Sequence, residues 1–97
     1  MRTHYLKTWV SEFEAVADGR KTFEFRYDQD FMVGDCLILQ EWDPRWPSWA
    51  AIGHTGRKLV RYVTYVLHGG IGLGKHFVVL SLSERAPGDS EPKEATP

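Results

Sequence analysis

The sequence predicts an α+β fold: a small β-barrel of about five strands, with one main helix after the first strand. Three observations predict it. A chain of 97 residues with 42% hydrophobic and 13% aromatic content can bury one modest core. A single helical pattern follows the first strand pattern, and every later apolar segment has the features of a strand. No second segment offers another core, so we expect one domain over residues 1–83.

The first strand and the helix occupy the start of the chain. His4–Lys7 is short and partly apolar, which indicates a strand. Thr8 is a suitable N-cap, and Asp18–Gly19 supplies a left-handed stop, so a helix is predicted between them. The predicted apolar face of this helix consists of Trp9, Phe13, Val16 and Ala17.

The next segment, Thr22–Arg26, alternates strictly between aromatic and polar residues. Phe23 and Phe25 share one face of the predicted strand, and Glu24 and Arg26 share the other. The pattern is typical of a half-buried strand, so we expect the polar face to be the one available for binding.

Apolar strands separated by turns make up the rest of the predicted domain. They are, in order, a turn at Val33–Asp35, a strand at Cys36–Trp42, a long loop at Asp43–Gly56, a strand at Lys58–Leu67, a turn at Gly69–Gly74 and a strand at Phe77–Leu82. Residues 84–97 contain three prolines and alternating charges without aromatics, which predicts a disordered C-terminal tail.

Charge is distributed unevenly along the chain. The formal net charge is −1, but Pro44–Ser83 contains no Asp or Glu. That segment carries five cations: Arg45, Arg57, Lys58, Arg61 and Lys75. A basic region within a nearly neutral chain is suited to binding a few phosphates rather than to coating long nucleic acid.

Composition also limits location and redox chemistry. No apolar run approaches the roughly 20 residues that cross a bilayer, and residues 1–4 lack the apolar region of a secretory signal. We therefore expect a soluble cytoplasmic protein without a membrane partner. Cys36 is the single cysteine, which excludes an internal disulfide and a cysteine-based zinc site.

The segment of residues 19–26, GRKTFEFR, brings several charged groups to a helix-to-strand junction. One interpretation is a surface salt bridge between Glu24 and either Arg26 or Lys21. The other is a cleft in which Lys21 and Arg26 receive phosphate, while Glu24 orients them or accepts a base amino group.

Gly19-x-Lys21-x-x-Glu24-x-Arg26 resembles the GxKxxExR signature of ASCH domains, which are relatives of the RNA-binding PUA fold. The similarity extends over about residues 3–82 and is to the DUF3850 branch of that superfamily. It rests on His4-x-Leu6-Lys7, Asp30-Phe31-x-Val33-Gly34-Asp35, Glu41–Pro44, Thr55–Arg57, Val63–Leu67 and Phe77–Leu80. The resemblance implies a PUA-like barrel with the signature residues in a cleft beside the first helix, and a role in binding RNA or modified nucleotides.

A nucleic-acid-binding module with RNA or a nucleotide-like ligand as its partner is the function we expect first. The predicted binding residues are Lys21, Glu24, Arg26, Arg57, Trp9, Trp42 and His4. In this hypothesis the three cations hold phosphate, and Trp9 or Trp42 stacks a base. His4 belongs to the resembled opening, so it either reaches the cleft or has a structural role.

A small hydrolase acting on RNA or on a modified nucleoside is the alternative, with Lys21 and Glu24 as its catalytic residues. Some ASCH-like proteins cleave an acylated cytidine with the motif lysine, a threonine three residues later and a further glutamate. Here Glu24 occupies the threonine position, and no acidic residue lies between Asp43 and Glu84. These departures argue against that particular reaction.

The tryptophans around the long loop allow a third hypothesis. Trp42, Trp46 and Trp49 lie close to Arg45, an arrangement suited to base stacking beside a phosphate contact. The same tryptophans could pack the loop onto the core or contact a protein, although the sequence identifies no protein partner.

Two other patterns predict neither a cofactor nor a metal. Gly69–Lys75 has the spacing GxxxxGK, but His76 replaces the Ser or Thr that binds magnesium, and a strand follows where a helix is required. The four histidines lack the spacing of metal ligands on one element.

Overall fold

The structure is a computed structural model of the chain that describes residues 1–45, 53–70, 72–86 and 88. It is a mostly-β domain with one helix after the first strand, as the sequence predicts. The elements are β1 (Thr3–Trp9), α1 (Val10–Ala17), β2 (Phe23–Tyr27), β3 (Cys36–Trp42), β4 (His54–Gly70) and β5 (Leu73–Ser83).

The five strands form one sheet in the order β1-β3-β4-β5-β2. β1 and β3 are parallel, and the other neighbouring pairs are antiparallel. Within the described strands no backbone pairing joins β1 to β2. The sheet is therefore open where closure of the expected barrel would occur, and β1 and β2 are its two edge strands.

Alternation divides the sheet into an inner face, which α1 covers, and an outer face. The core that α1 shares with the inner face consists of Leu6, Phe13, Val16, Phe31, Leu37, Leu39, Val63, Val78 and Leu80. Phe13 and Val16 are buried, as the predicted apolar face of the helix requires. The other two residues of that predicted face are exposed: Ala17 ends the helix, and Trp9 belongs to β1. The core therefore lies between one short helix and one sheet.

The helix begins later than the sequence predicts. Thr8 belongs to β1, and Trp9 occupies the N-cap position without a capping side-chain hydrogen bond. The Thr8 hydroxyl donates to the Leu6 carbonyl oxygen at 3.0 Å and accepts a bond from Arg26 Nη2 at 3.2 Å. The prediction of Thr8 as N-cap was wrong, because its side chain points to the inner face of the sheet, where Arg26 bonds it.

The two faces of β2 are the reverse of the expected ones. Phe23 and Phe25 are 46% and 53% exposed, whereas Glu24 is only 2% exposed. Alternation itself is observed, but β2 is an edge strand and turns its charged side inward. Ion pairs with Lys21 and Arg26 make burial of that carboxylate possible.

The long loop is shorter than expected at its C-terminal end, since β4 begins at His54. Asp43 N–H donates to the Gly53 carbonyl oxygen at 2.6 Å, and Trp42 pairs with His54. Gly53 lies against Trp42 with a φ of 94°, so the close approach requires a residue without a side chain. Trp46 and Trp49 lie outside the described residues, as does most of the predicted tail.

Candidate functional site

A cleft of about 520 Å³ lies between the end of β1, the first turns of α1 and strand β2. Its lining consists of Lys7, Thr8, Trp9, Glu12, Lys21, Phe23, Glu24, Phe25 and Arg26. Because β1 and β2 are the two edge strands, the cleft occupies the seam at which the sheet does not close. The signature residues Lys21, Glu24 and Arg26 therefore meet in one cleft.

Glu24 is the charged centre of this cleft. Its Oε1 accepts a hydrogen bond from Arg26 Nε at 2.8 Å, and its Oε2 accepts one from Lys21 Nζ at 3.3 Å. A buried carboxylate is costly unless it is paired and hydrogen-bonded, and here each oxygen faces one cation. The sequence allowed two interpretations of these residues, a salt bridge on the surface or a group of charges inside a cleft. Glu24 is buried and lines a cleft, so the pairs are not on the open surface.

Arg26 connects the two edge strands. In addition to its bond with Glu24, Nη1 donates to the Lys7 carbonyl oxygen at 3.1 Å and Nη2 donates to Thr8 Oγ1 at 3.2 Å. The planar guanidinium supplies several donors in a fixed geometry, so one side chain can span β2 and β1. The seam is thus held by a side chain where backbone pairing is absent.

Lys21 is positioned by the turn that ends α1. Gly19 has a φ of 86°, and the Lys21 N–H donates to the Ala15 carbonyl oxygen at 2.9 Å. Lys21 Nζ lies between Glu24 and Glu12, 2.8 Å from Glu12 Oε1. The hydrogen bond from Lys21 lowers the pKa of Glu12, which is half exposed at the mouth of the cleft.

Exposed aromatic rings stand beside this ionic centre. Trp9 is 54% exposed and meets Trp42 edge to face at a centroid distance of 4.9 Å. Lys7 Nζ lies 4.3 Å from the Trp42 ring centroid. Trp42 therefore contacts Trp9 without lining the cleft, and Phe23 and Phe25 provide apolar surface on the β2 side.

His4 lies outside the cleft lining, in a buried pair with Asp35. The distance from His4 Nε2 to Asp35 Oδ2 is 2.8 Å, and the ring also packs on Phe31 at 4.4 Å. Burial by itself raises the pKa of Asp35, but hydrogen bonds from the Arg2 N–H, His4 and the Met32 N–H outweigh it and lower the net value. The geometry corresponds to the structural role that the sequence left open.

Arg57 also lies away from the cleft. Its Nη1 is 2.8 Å from Glu14 Oε2 and 3.3 Å from Glu41 Oε2, and it lines a separate pocket of about 300 Å³. Bonding to Glu14 raises the pKa of Arg57. The structure thus separates Arg57 from Lys21 and Arg26, with which the sequence had grouped it.

Sequence analysis missed several cleft residues: Lys7, Thr8, Glu12, Phe23 and Phe25. A signal for Glu12 is present, because it stands nine positions before Lys21, across the helix-ending turn. No comparable signal identifies Phe23 and Phe25, since an alternating strand does not reveal which face is buried.

The described residues were also searched for a metal-binding group and for a membrane-spanning helix. In them, no group of three or more His, Cys, Asp or Glu side chains is arranged to hold a metal ion. Of the helices in the described part of the chain, none is long and apolar enough to cross a membrane.

The sequence model of DUF3850, a domain of unknown function, matches residues 3–82. The chain belongs to the DUF3850 family. The match extends from β1 into β5 and includes every residue of the cleft, so the cleft is part of the DUF3850 domain itself. Among curated proteins no match to the chain is found.

Proposed function

We propose that this DUF3850 domain binds a nucleotide, either free or as part of RNA, in the cleft between β1 and β2. The observation that carries the proposal is the buried Glu24 held between Lys21 and Arg26, with exposed aromatic rings on both sides of the cleft. Charged groups beside flat apolar surfaces are the combination that a phosphorylated base requires.

The charge of the cleft favours a single phosphate. Its lining contains three cations and two carboxylates, a surplus of one positive charge. Lys21 is the cation best placed to receive phosphate, because its partner Glu12 is half exposed and such exposed pairs are weak. Phosphate replaces Glu12 at Lys21 Nζ, whereas Arg26 stays bonded to Glu24 and β1.

The base has partners on both walls. Trp9 offers an exposed indole that contacts Trp42 edge to face, and Phe23 and Phe25 line the β2 side of the cleft. Each Glu24 oxygen accepts one bond from a cation and retains a second lone pair. We assign that remaining acceptor capacity to an exocyclic amino group, which favours adenine, cytosine or guanine over uracil.

Hydrolysis of RNA or of a modified nucleoside is a second candidate, favoured by the 3.3 Å contact between Lys21 and Glu24 inside the cleft. In that case Lys21 stabilises developing negative charge and Glu24 moves a proton. The occupancy of both Glu24 oxygens by cations supports binding over catalysis. Chromatography of RNA and acylated cytidine after incubation distinguishes the two, because only a hydrolase forms products that are lost in Lys21→Ala.

We also propose that the domain belongs to the ASCH/PUA-like superfamily and that its sheet is barrel-like. The GxKxxExR signature at residues 19–26 supports the relationship. The two bonds from Arg26 to Lys7 and Thr8 support the barrel-like shape, because they require the edge strands β1 and β2 to approach each other.

Calorimetric titration with the four ribonucleoside 5′-monophosphates tests the proposed function. We expect binding that weakens as salt is raised and that falls about 10- to 100-fold in Lys21→Ala, since a charge-assisted bond to phosphate is lost. Arg20→Ala is the matched control, because Arg20 is the neighbouring cation and pairs with Asp18 outside the cleft. Equal affinities in wild type and Lys21→Ala would contradict the proposal.

A further inference from the structure

Six aromatic side chains form a path across the outer face of the sheet and the mouth of the cleft. We call this surface the aromatic path; it consists of Trp42, Trp9, Phe23, Phe25, Phe77 and Tyr27. The first two lie on the β1 side of the seam and the other four on the β2 side. Only three of the six line the cleft, so the path continues beyond it on both sides.

The path is continuous on the β2 side. Phe25 and Phe77 have a centroid distance of 5.3 Å, and Tyr27 meets Phe77 edge to face at 5.4 Å. These residues occupy one face because Tyr27 and Phe77 are direct cross-strand partners and Phe25 stands two positions away. Phe25, Phe77 and Tyr27 are all exposed, Tyr27 by 59%. Adjacent exposed aromatic side chains of this kind are typical of a binding surface, whereas a single exposed apolar residue is common on any protein.

Charge on the outer face has one sign. Across the five strands, whose residues are all described, the acidic residues are Glu24 and Glu41, and both are buried on the inner face. Lys7, Gln40 and Lys58 form one cross-strand row of the outer face. Lys75 is exposed and stands two positions before Phe77 in β5. On the outer face of the strands, aromatic rings and lysines without carboxylates complement a polyanion that carries flat bases, and Glu12 is a carboxylate at the mouth of the cleft.

We propose that the aromatic path stacks the bases on either side of the nucleotide in the cleft, so that the ligand is a single-stranded segment of nucleic acid. This inference rests on the proposed function, because the cleft sets the register of the strand. The path requires single strands, since bases in a duplex keep their faces stacked on one another. Lys7 lies on the outer face beside Trp42, and Lys75 is an exposed cation close in sequence to Phe77.

The test is a length series measured by fluorescence anisotropy. The probes are a labelled mononucleotide and single-stranded RNA and DNA of about three, five and seven nucleotides. Wild type is expected to gain about tenfold in affinity for each stacked base. Tyr27→Ser/Phe77→Ser, which alters the path outside the cleft, is expected to keep the affinity for the mononucleotide and to lose most of the gain with length. Equal gains for RNA and DNA identify stacking, and a gain restricted to RNA adds a contact with the 2′-hydroxyl.

Two controls keep the outcomes distinct. Tyr5→Ser removes an aromatic ring of similar exposure from β1 outside the path and is expected to behave as wild type. Tyr27→Ser alone repeats the test with a smaller change, in case the double variant does not fold. Binding of the mononucleotide without any gain from length would overturn this inference and leave the proposed function intact. Absence of binding by every probe would overturn both.

A second copy of the chain is the competing occupant of the path. Sedimentation of wild type and Tyr27→Ser/Phe77→Ser decides that case. A wild-type dimer that the double variant converts to monomer would assign the path to self-association and overturn the inference. A monomer in both supports it.

Discussion

Glu24 is the residue on which the account depends most, because it is a carboxylate buried in a small domain. Its two cationic partners come from different places: Lys21 follows the helix, and Arg26 lies two positions along the same strand. A buried charge with only one partner would be poorly compensated, so the pairing on both sides explains how the strand turns a glutamate inward. The same arrangement holds Lys21 at the mouth of the cleft.

Glu24→Gln is expected to lower the free energy of unfolding by about 1–3 kcal/mol. The substitution removes the negative charge that pairs with Lys21 and Arg26, and it turns the amide NH₂ group, a donor, toward one of these cations. Urea denaturation measures the change. Glu12→Gln is the matched control, since Glu12 also bonds Lys21 but is half exposed, and its effect should stay near or below about 0.5 kcal/mol. Equal effects of the two substitutions would contradict the buried position of Glu24.

Asp35 makes stability dependent on pH. Its pKa is lowered in the folded state, so its contribution is complete above the unfolded pKa of about 3.9 and is lost as pH falls through the lowered folded value. We expect Asp35→Asn to be less stable than wild type at neutral pH and the difference to shrink as the pH falls through the lowered folded pKa of Asp35. Denaturation at a series of pH values measures it, and a difference independent of pH would contradict this prediction.

At the residue scale, the sequence identified the centre of the site but not its walls. The signature spacing alone groups Lys21, Glu24 and Arg26. Arg57 was grouped with them on charge alone, and the structure places it with Glu14 and Glu41 instead. Charge type is encoded in a residue, whereas its partners depend on the approach of distant elements.

At the scale of elements, the order and type of the strands and the helix follow from the sequence, and several boundaries do not. The Cys36–Trp42 strand is predicted to the residue. The turn between β4 and β5 is much shorter than the glycines suggest, because Gly69, Gly70 and Gly74 are parts of strands. A glycine permits a turn but does not require one, and here Gly69 serves close packing between two strands.

Gly69→Ala and Gly70→Ala form a matched pair for that packing. A methyl at position 69 would overlap the Gly74 carbonyl oxygen, whereas one at position 70 meets no atom within 4 Å. Gly69→Ala is therefore expected to cost about 1–3 kcal/mol in the free energy of unfolding. Gly70→Ala should change it by no more than about 0.5 kcal/mol. Thermal denaturation of both variants checks the prediction, and equal midpoints would contradict the close contact of β4 with β5.

For the whole molecule, the central feature is an open sheet whose edge strands are joined by the Arg26 side chain. The sequence predicted a barrel of about five strands, and the structure contains the five strands without backbone pairing between β1 and β2. Closure depends on how strongly the sheet curls, a cumulative property of many strand pairs that alternation within single strands does not encode. The cleft occupies the resulting gap.

Arg26→Gln is expected to loosen this seam more than the rest of the molecule. Its bonds to Lys7, Thr8 and Glu24 are lost, so amide hydrogen exchange should accelerate in β1 and β2 while β4 and β5 keep their protection. Arg20→Gln, which removes an exposed ion pair, provides the control. Uniform acceleration across the sheet would indicate that Arg26 has no special role at the seam.

Nucleotide binding in the cleft is tested by titrating the ¹⁵N-labelled protein with each ribonucleoside 5′-monophosphate and following backbone and indole resonances, at low salt and at about 0.15 M. We expect saturable shifts in residues 7–9 and 21–26 and in the indole of Trp9, and weaker binding at the higher salt. Shifts centred instead on the pocket around Arg57, or the absence of saturable shifts with all four nucleotides, would contradict it.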